Sequence, residues 1–206
     1  MLLSQVFEFK IKEVLMNKLE LPPFDRLVIR SMREHEALVN LDGHRLDPQG
    51  IVLITCADCD EFSDIYGHKA ELFQSNGHAP RIHPLSRNGG ALMLVPQSPA
   101  IKRGRSTATD LLEEIQEACA WKKIRTVTPY IHAPCGKAVV SKINFISQMT
   151  LLFQGKQLLK NRLPGISVAC FCQIDYGNSK RTYFASREKY SSWLVECQKE
   201  LEAATA

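Results

Sequence analysis

The chain has 206 residues, 45% of them hydrophobic and 23% charged, with a net charge of +4. That balance belongs to a soluble globular protein, and the length fits one domain with a substantial core; no apolar run approaches the roughly 20 residues of a membrane span. The opening Met1 to Glu8 has neither a basic n-region nor a small-residue cleavage site, so a signal peptide is not expected.

The first fifty residues read as an N-terminal arm, helical or extended, suited to packing on a partner protomer. Val6 to Leu19 has helical length and ends before Leu21-Pro22-Pro23, although Phe7, Phe9 and Ile11 alternate as a strand would. Arg26 to Ser31 reads as a short strand, and Asp42-Gly43 and Pro48-Gln49-Gly50 as turns. From Ile51 to the end the pattern is that of one α/β domain. A buried strand over 51–55 precedes a helix from Glu61 to Gln74, stopped by Asn76-Gly77. A short strand over Arg81 to Leu85 leads to the glycine turn Arg87-Asn88-Gly89-Gly90 and the apolar stretch Ala91 to Val95. Thr107 or Thr109 caps a helix to Ala120 with Leu111, Leu112, Ile115 and Ala118 on one face. A strand over 124–131 is followed by one long helix from about Lys137 to Asn161, ended by Pro164-Gly165. Ile166 to Ile174 reads as a strand that turns at Asp175-Tyr176-Gly177-Asn178 into Arg181 to Phe184. Ser186 then caps a final helix striped by Tyr190, Trp193, Leu194, Cys197 and Leu201. Strands alternating with helices predict a mostly parallel sheet covered by helices, and the short last turn predicts an antiparallel edge.

Two short segments carry the chemistry. Cys56-Ala57-Asp58-Cys59-Asp60 follows the first buried strand, and His132-Ala133-Pro134-Cys135-Gly136 follows the strand 124–131. Both lie at carboxyl ends of expected parallel strands, where such sheets place their functional loops. Two thiolates and an imidazole meeting there would hold a zinc ion and leave one coordination position for chemistry. Seven cysteines, an odd number scattered through a mid-sized chain, suit metal ligands and free thiols in a reducing cytoplasm better than a disulfide framework.

Cys-x-Asp after a buried strand, the Arg87-Asn88-Gly89-Gly90 turn, an amphipathic helix, a strand and His-x-x-Cys-Gly together resemble the β-carbonic anhydrases. The resemblance runs over roughly residues 50 to 185. It implies zinc held by Cys56, His132 and Cys135, with Asp58 as orienter, or as a gate that swings onto the metal. It implies a homodimer, and a lyase activity: reversible hydration of carbon dioxide to bicarbonate, or of an analogue such as carbon disulfide or carbonyl sulfide, by zinc-bound hydroxide. The chain departs from the family pattern, which continues Cys-x-Asp-Ser-Arg; here Cys59 and Asp60 stand in the last two places. The family's arginine is therefore replaced by an acid, and the segment between Glu61 and His83 looks extended. Arg87 and Lys137 are the candidate substitute cations, and Arg87 is the more structural of the two. A resting site closed by two cysteines, His132 and Asp58 follows as the expected state. The helix expected after Cys135 also favours that thiolate.

Two other readings of the same residues stay open. Cys56-x-x-Cys59 with His132-x-x-Cys135 spells a closed structural zinc site of three cysteines and one histidine. Strand, Cys56-x-x-Cys59 and helix also spell a thioredoxin-like dithiol, though without a tryptophan before the first cysteine. The basic cluster Lys102-Arg103-Gly104-Arg105 lacks interleaved aromatics and reads as a solvated loop, so neither nucleic acid nor membrane is an expected partner. Cys119, Cys170, Cys172 and Cys197 read as core residues, His68, His78 and His83 as dispersed surface histidines, and Trp121 and Trp193 as packed.

Overall fold

The computed structural model describes residues 19–40 and 49–205, with side chains described to position 197. The expected Asp42-Gly43 turn lies outside the described residues, as does all of the expected 6–19 helix but Leu19. Helix α1 (Pro23–Glu34) leads to strand β1 (Leu38–Asn40). Then come β2 (Ile51–Thr55), α2 (Cys59–Ser75), β3 (Ile82–Ser86), a 3-10 turn (Gly90–Met93), α3 (Thr107–Lys122) and β4 (Thr126–Ala133). The chain ends with α4 (Gly136–Val140), α5 (Phe145–Arg162), β5 (Ser167–Val168), β6 (Phe171–Asp175), β7 (Lys180–Ala185) and α6 (Arg187–Thr205).

The strands form one sheet in the order β1-β7-β6-β4-β2-β3, with β5 alongside β4. Pairs β2/β3, β2/β4, β4/β5 and β4/β6 are parallel, and β6/β7 and β1/β7 are antiparallel. The mostly parallel α/β sheet is therefore present, and its antiparallel strand β7 is itself bordered by β1. Residues of β2 alternate between two cores. Val52 and Ile54 join the larger one with residues of α1, α3, α5 and α6, whereas Ile51 and Leu53 join a smaller one with Ile65 and Phe73 of α2. This two-sided burial accounts for the continuous apolar run that marks the strand in sequence.

Three expectations about elements are corrected. Residues 26–31 are helix, not strand. Asp25, Val28, Ile29 and Met32 are the buried positions, at the 0, 3, 4, 7 spacing of one helical face. Pro23 occupies the first helical position, where its missing N–H costs nothing. The single long helix over 137–161 is two helices. The chain breaks at Lys142, which adopts φ 55°, and restarts at Asn144, whose side chain accepts from the Ser147 N–H at 2.9 Å. Asp25 adds a long-range cap to the same end, accepting from the Phe145 N–H at 3.2 Å. The strand expected over 166–174 is interrupted between β5 and β6. Opposite the interruption lies Pro129 of β4, which has no N–H to give, and the ladder passes from β5 to β6 there.

Of the two tryptophans, Trp193 is buried and donates from Nε1 to Ser31 at 2.9 Å, but Trp121 is 72% exposed at the end of α3. It sits in the last turn of an amphipathic helix, off the stripe of buried residues that runs from Ala108 to Cys119. Cys119, Cys170 and Cys172 are buried, Cys197 is half-buried, and every cysteine is a free thiol. The cap of α3 falls at Ser106 rather than at a threonine. At the last helix, Ser186 accepts from the Lys189 N–H at 3.4 Å.

Candidate metal centre

The site lies at the carboxyl edge of β2 and β4. Cys56 is the first residue after β2, His132 the seventh residue of β4, and Cys135 the N-cap of α4. The two sulfurs and a ring nitrogen of His132 all lie within 4.8 Å of one another, and all three residues are buried. Two sulfurs on a tetrahedral zinc with bonds of about 2.3 Å stand about 3.8 Å apart, inside that envelope. His132 is 2% exposed, and both its ring nitrogens are buried without a hydrogen-bond partner. A buried imidazole normally finds a partner for at least one nitrogen, so an orphaned ring wedged between two thiols fits a cation-binding role. Two sulfurs and one nitrogen are also a donor set suited to zinc.

The glycine turn explains how Cys56 is held. Ala57 N–H donates to Arg87 O at 3.2 Å and Arg87 N–H to Thr55 O at 3.1 Å, so the turn is laced to the end of β2. Gly89 sits at φ 98° and donates its N–H to Cys56 Sγ at 3.1 Å. A Cβ at Gly90 would come within 2.6 Å of the Cys56 nitrogen, so only glycine allows this approach. Arg87 itself turns to Glu114 of α3 in an ion pair, and the Lys137 stem lies across Gly89.

These contacts set the charge of the cluster. The neighbouring Cys135 thiol, the His132 ring and the Gly89 N–H pull the Cys56 thiol well below its usual range, against the opposing effect of burial. Cys135 is pushed up, first by its hydrogen bond to Cys56, then by burial and by the charge on Cys56, while the Ala138 and Lys137 N–H groups of α4 act the other way. The helix expected to favour this thiolate is only five residues long, which limits its dipole to local N–H groups. For His132, burial lowers proton affinity, but Cys56, then Asp58 and Glu61, raise it overall.

Asp58 lies beside this cluster at the N-cap of α2, where Oδ1 accepts from the Asp60 N–H at 3.1 Å. Cys59 is exposed and groups with Asp58 and Asp60 rather than with the three buried donors. Position 60 carries an exposed carboxylate, and the residue's backbone oxygen accepts from Lys180 Nζ at 2.6 Å. Sequence reasoning missed Lys180, Glu61 and Gln173. Only Gln173 left a signal there, as a polar residue amid the apolar Phe171-Cys172-Gln173-Ile174 run.

No family model and no curated protein matches the sequence. Among solved structures the chain is similar to a carbonic anhydrase from Streptococcus mutans, at 13% identity and TM-score 0.40, covering 82% of this chain and 100% of that one. It is also similar to the β-carbonic anhydrase CafA of the fungal pathogen Aspergillus fumigatus, at 12% identity and TM-score 0.34, covering 91% and 98%. Both likenesses are distant, and the chemistry rests on the side chains themselves. No helix among the described residues is long and apolar enough to cross a membrane.

Proposed function

We propose that this chain is a zinc protein of the β-carbonic anhydrase type, a homodimer of the cytoplasm that hydrates carbon dioxide or a related small molecule. The observation that carries the reading is the orphaned, buried imidazole of His132 lying with Cys56 and Cys135 inside a 4.8 Å envelope. Cys56, His132 and Cys135 hold the metal. Zinc held there supplies Lewis acidity that makes water nucleophilic near neutral pH. The protein's own share is threefold. Gly89 steadies the thiolate of Cys56, the surrounding core excludes bulk water, and Asp58 at the rim accepts and orients a proton-bearing group of the reactants. A second reading, a closed non-catalytic site in which Asp58 also ligates, is favoured by the closeness that lets Asp58 act on His132.

Metal analysis and stopped-flow carbon dioxide hydration at pH 7 and 9 test both. The purified chain should hold one zinc per protomer, the Cys135→Ser variant should lose it, and Cys59→Ser should retain it. Hydration at either pH supports the enzyme; zinc without hydration at both supports the closed site. A Cys59→Ser variant that loses zinc would instead restore the three-cysteine site.

A further inference from the structure

Four carboxylates, Asp58, Asp60, Glu61 and Asp64, crowd the first turns of α2 directly after the Cys56 loop. Asp60 and Asp64 face outward, but Glu61 is buried at 6% exposure, and both of its oxygens are engaged. Oε2 accepts from Gln173 Nε2 at 2.8 Å and Oε1 faces Lys180 Nζ at 3.1 Å. The Lys180 ammonium also donates to Asp64 Oδ2 and to the Asp60 carbonyl, each at 2.6 Å. Gln173 belongs to β6, where it stands in register with His132 of β4, and with Thr182 of β7 on the other side. A continuous brace therefore runs from the strand that carries His132, through Gln173 and Glu61, to Lys180, and back to the backbone at position 60.

We propose that Lys180 is a positioning residue that fixes the amino-terminal turn of α2, and with it the Cys56–Asp58 loop, against His132. The proposal rests on the metal-centre reading and adds the residue that sets its geometry. Three donors of one ammonium reach three separate oxygens on α2, which uses the full donor capacity of a lysine. Two of these oxygens belong to carboxylates, so the bonds are charge-assisted. The third is a backbone oxygen of the loop-helix junction, so the tie acts on the main chain and not only on side chains. Burial raises the proton affinity of Glu61 and the Lys180 ammonium opposes that rise, so the carboxylate of the brace depends on its cation. Without Lys180, the buried Glu61 carboxylate keeps only Gln173 and is drawn outward to water. The helix turn moves with it, and so does the loop that presents Cys56 and Asp58. A cation lent by β7 thus does from across the sheet what a basic residue in the loop itself could have done.

The test is a cobalt(II) titration of the full chain, read from the thiolate-to-cobalt and d–d bands, with circular dichroism and a urea midpoint as controls of folding. Lys180→Met should fold, weaken cobalt binding by about 10- to 100-fold, as loss of a residue supporting metal ligands does, and alter the d–d band pattern. Lys180→Arg should restore both affinity and bands, which a merely space-filling role would not require. Where Lys180→Met fails to fold, Asp64→Asn, an exposed anchor of the same ammonium, decides: a few-fold loss with altered bands supports the brace. Wild-type affinity and spectra in Lys180→Met, or in Asp64→Asn in its place, would overturn it while leaving the metal centre intact. Failure of the wild-type chain to bind cobalt, or equal binding by Cys135→Ser, overturns the metal centre and the brace with it.

Discussion

Replacing Gly90 by alanine tests whether the glycine turn is built around Cys56. Two costs add at that position. The residue sits at φ 51°, in the left-handed region, where a Cβ costs about 1–2 kcal/mol. The new methyl would also lie 2.6 Å from the Cys56 nitrogen, 2.8 Å from the Thr55 carbonyl carbon and 3.1 Å from the Tyr130 carbonyl oxygen. All three are backbone atoms of β2, its following loop and β4, so no flexible side chain can swing aside. Overpacking of that kind costs about 1–3 kcal/mol, giving about 2–5 kcal/mol in total. Gly104 is the matched control. It has φ 79° and nothing within 4 Å of its would-be Cβ, so Gly104→Ala carries the conformational cost alone. Urea unfolding of the two variants should place Gly90→Ala lower by about 1–3 kcal/mol. Cobalt binding should weaken in Gly90→Ala and stay at the wild-type value in Gly104→Ala. Equal destabilisation of the two variants, with unchanged metal affinity in both, would refute the close-approach argument.

Other predictions follow from groups away from the centre. Lys69 is fully buried, its ammonium has no hydrogen-bond acceptor and lies 3.4 Å from the Phe171 ring centroid, and burial lowers its pKa from 10.5 to about 7. The unfolded chain holds this proton up to about 10.5 and the folded one only to about 7, so between them the unfolded state binds more protons and stability rises with pH. The penalty is fully present below pH 7 and amounts to roughly 5 kcal/mol, at about 1.4 per unit. Lys69→Met should therefore raise the urea midpoint at pH 7 and abolish the rise toward pH 10; an unchanged slope would place the titration elsewhere. Lys123 closes α3 at φ 53°, and Ile124 N–H donates back to Cys119 O at 3.1 Å, the geometry of a left-handed helix end. Lys123→Gly should stabilise the protein by about 1 kcal/mol in urea unfolding, and a loss of stability would contradict the strain assigned there.

What the sequence made legible is what depends on local pattern. The run 51–55 could be read because both faces of β2 are buried, and the Asn76-Gly77 stop because Gly77 adopts φ 75° just past the end of α2. The trio Cys56, His132 and Cys135 stood out because cysteine and histidine at strand ends are chemically distinctive, and the fold groups their donor atoms within 4.8 Å. Helix α1 was hidden because its interior, Leu27-Val28-Ile29, has strand-like β-branched residues, and its helical spacing emerges only when Asp25 is counted as buried. The break between α4 and α5 was hidden because lysine, not glycine or proline, takes the left-handed position. Lys180 was beyond reach for a different reason. Its partners at positions 60, 61 and 64 lie 116 or more residues earlier in the chain, and only the packing of α2 beside β6 and β7 brings them together.

On the proposed reading, the fold also sets which ligands are fixed and which is adjustable. His132 is held in β4, in register with Gln173 of β6, Cys135 starts a helix, and Cys56 is tied by the Gly89 N–H and the laced ends of the turn. Asp58 alone has other employment. Its Oδ1 caps α2 through the Asp60 N–H, a bond worth about 1 kcal/mol. That is small beside the interaction of a carboxylate with a divalent cation, so capping biases Asp58 away from the metal without locking it there. The acid at position 60 supplies no positive charge to add to that bias, and the ammonium of Lys180 is spent on Glu61, Asp64 and the Asp60 carbonyl. A gate held by one capping bond opens and closes at little cost, and on the proposed reading that balance is what decides between a hydratase and a closed zinc site.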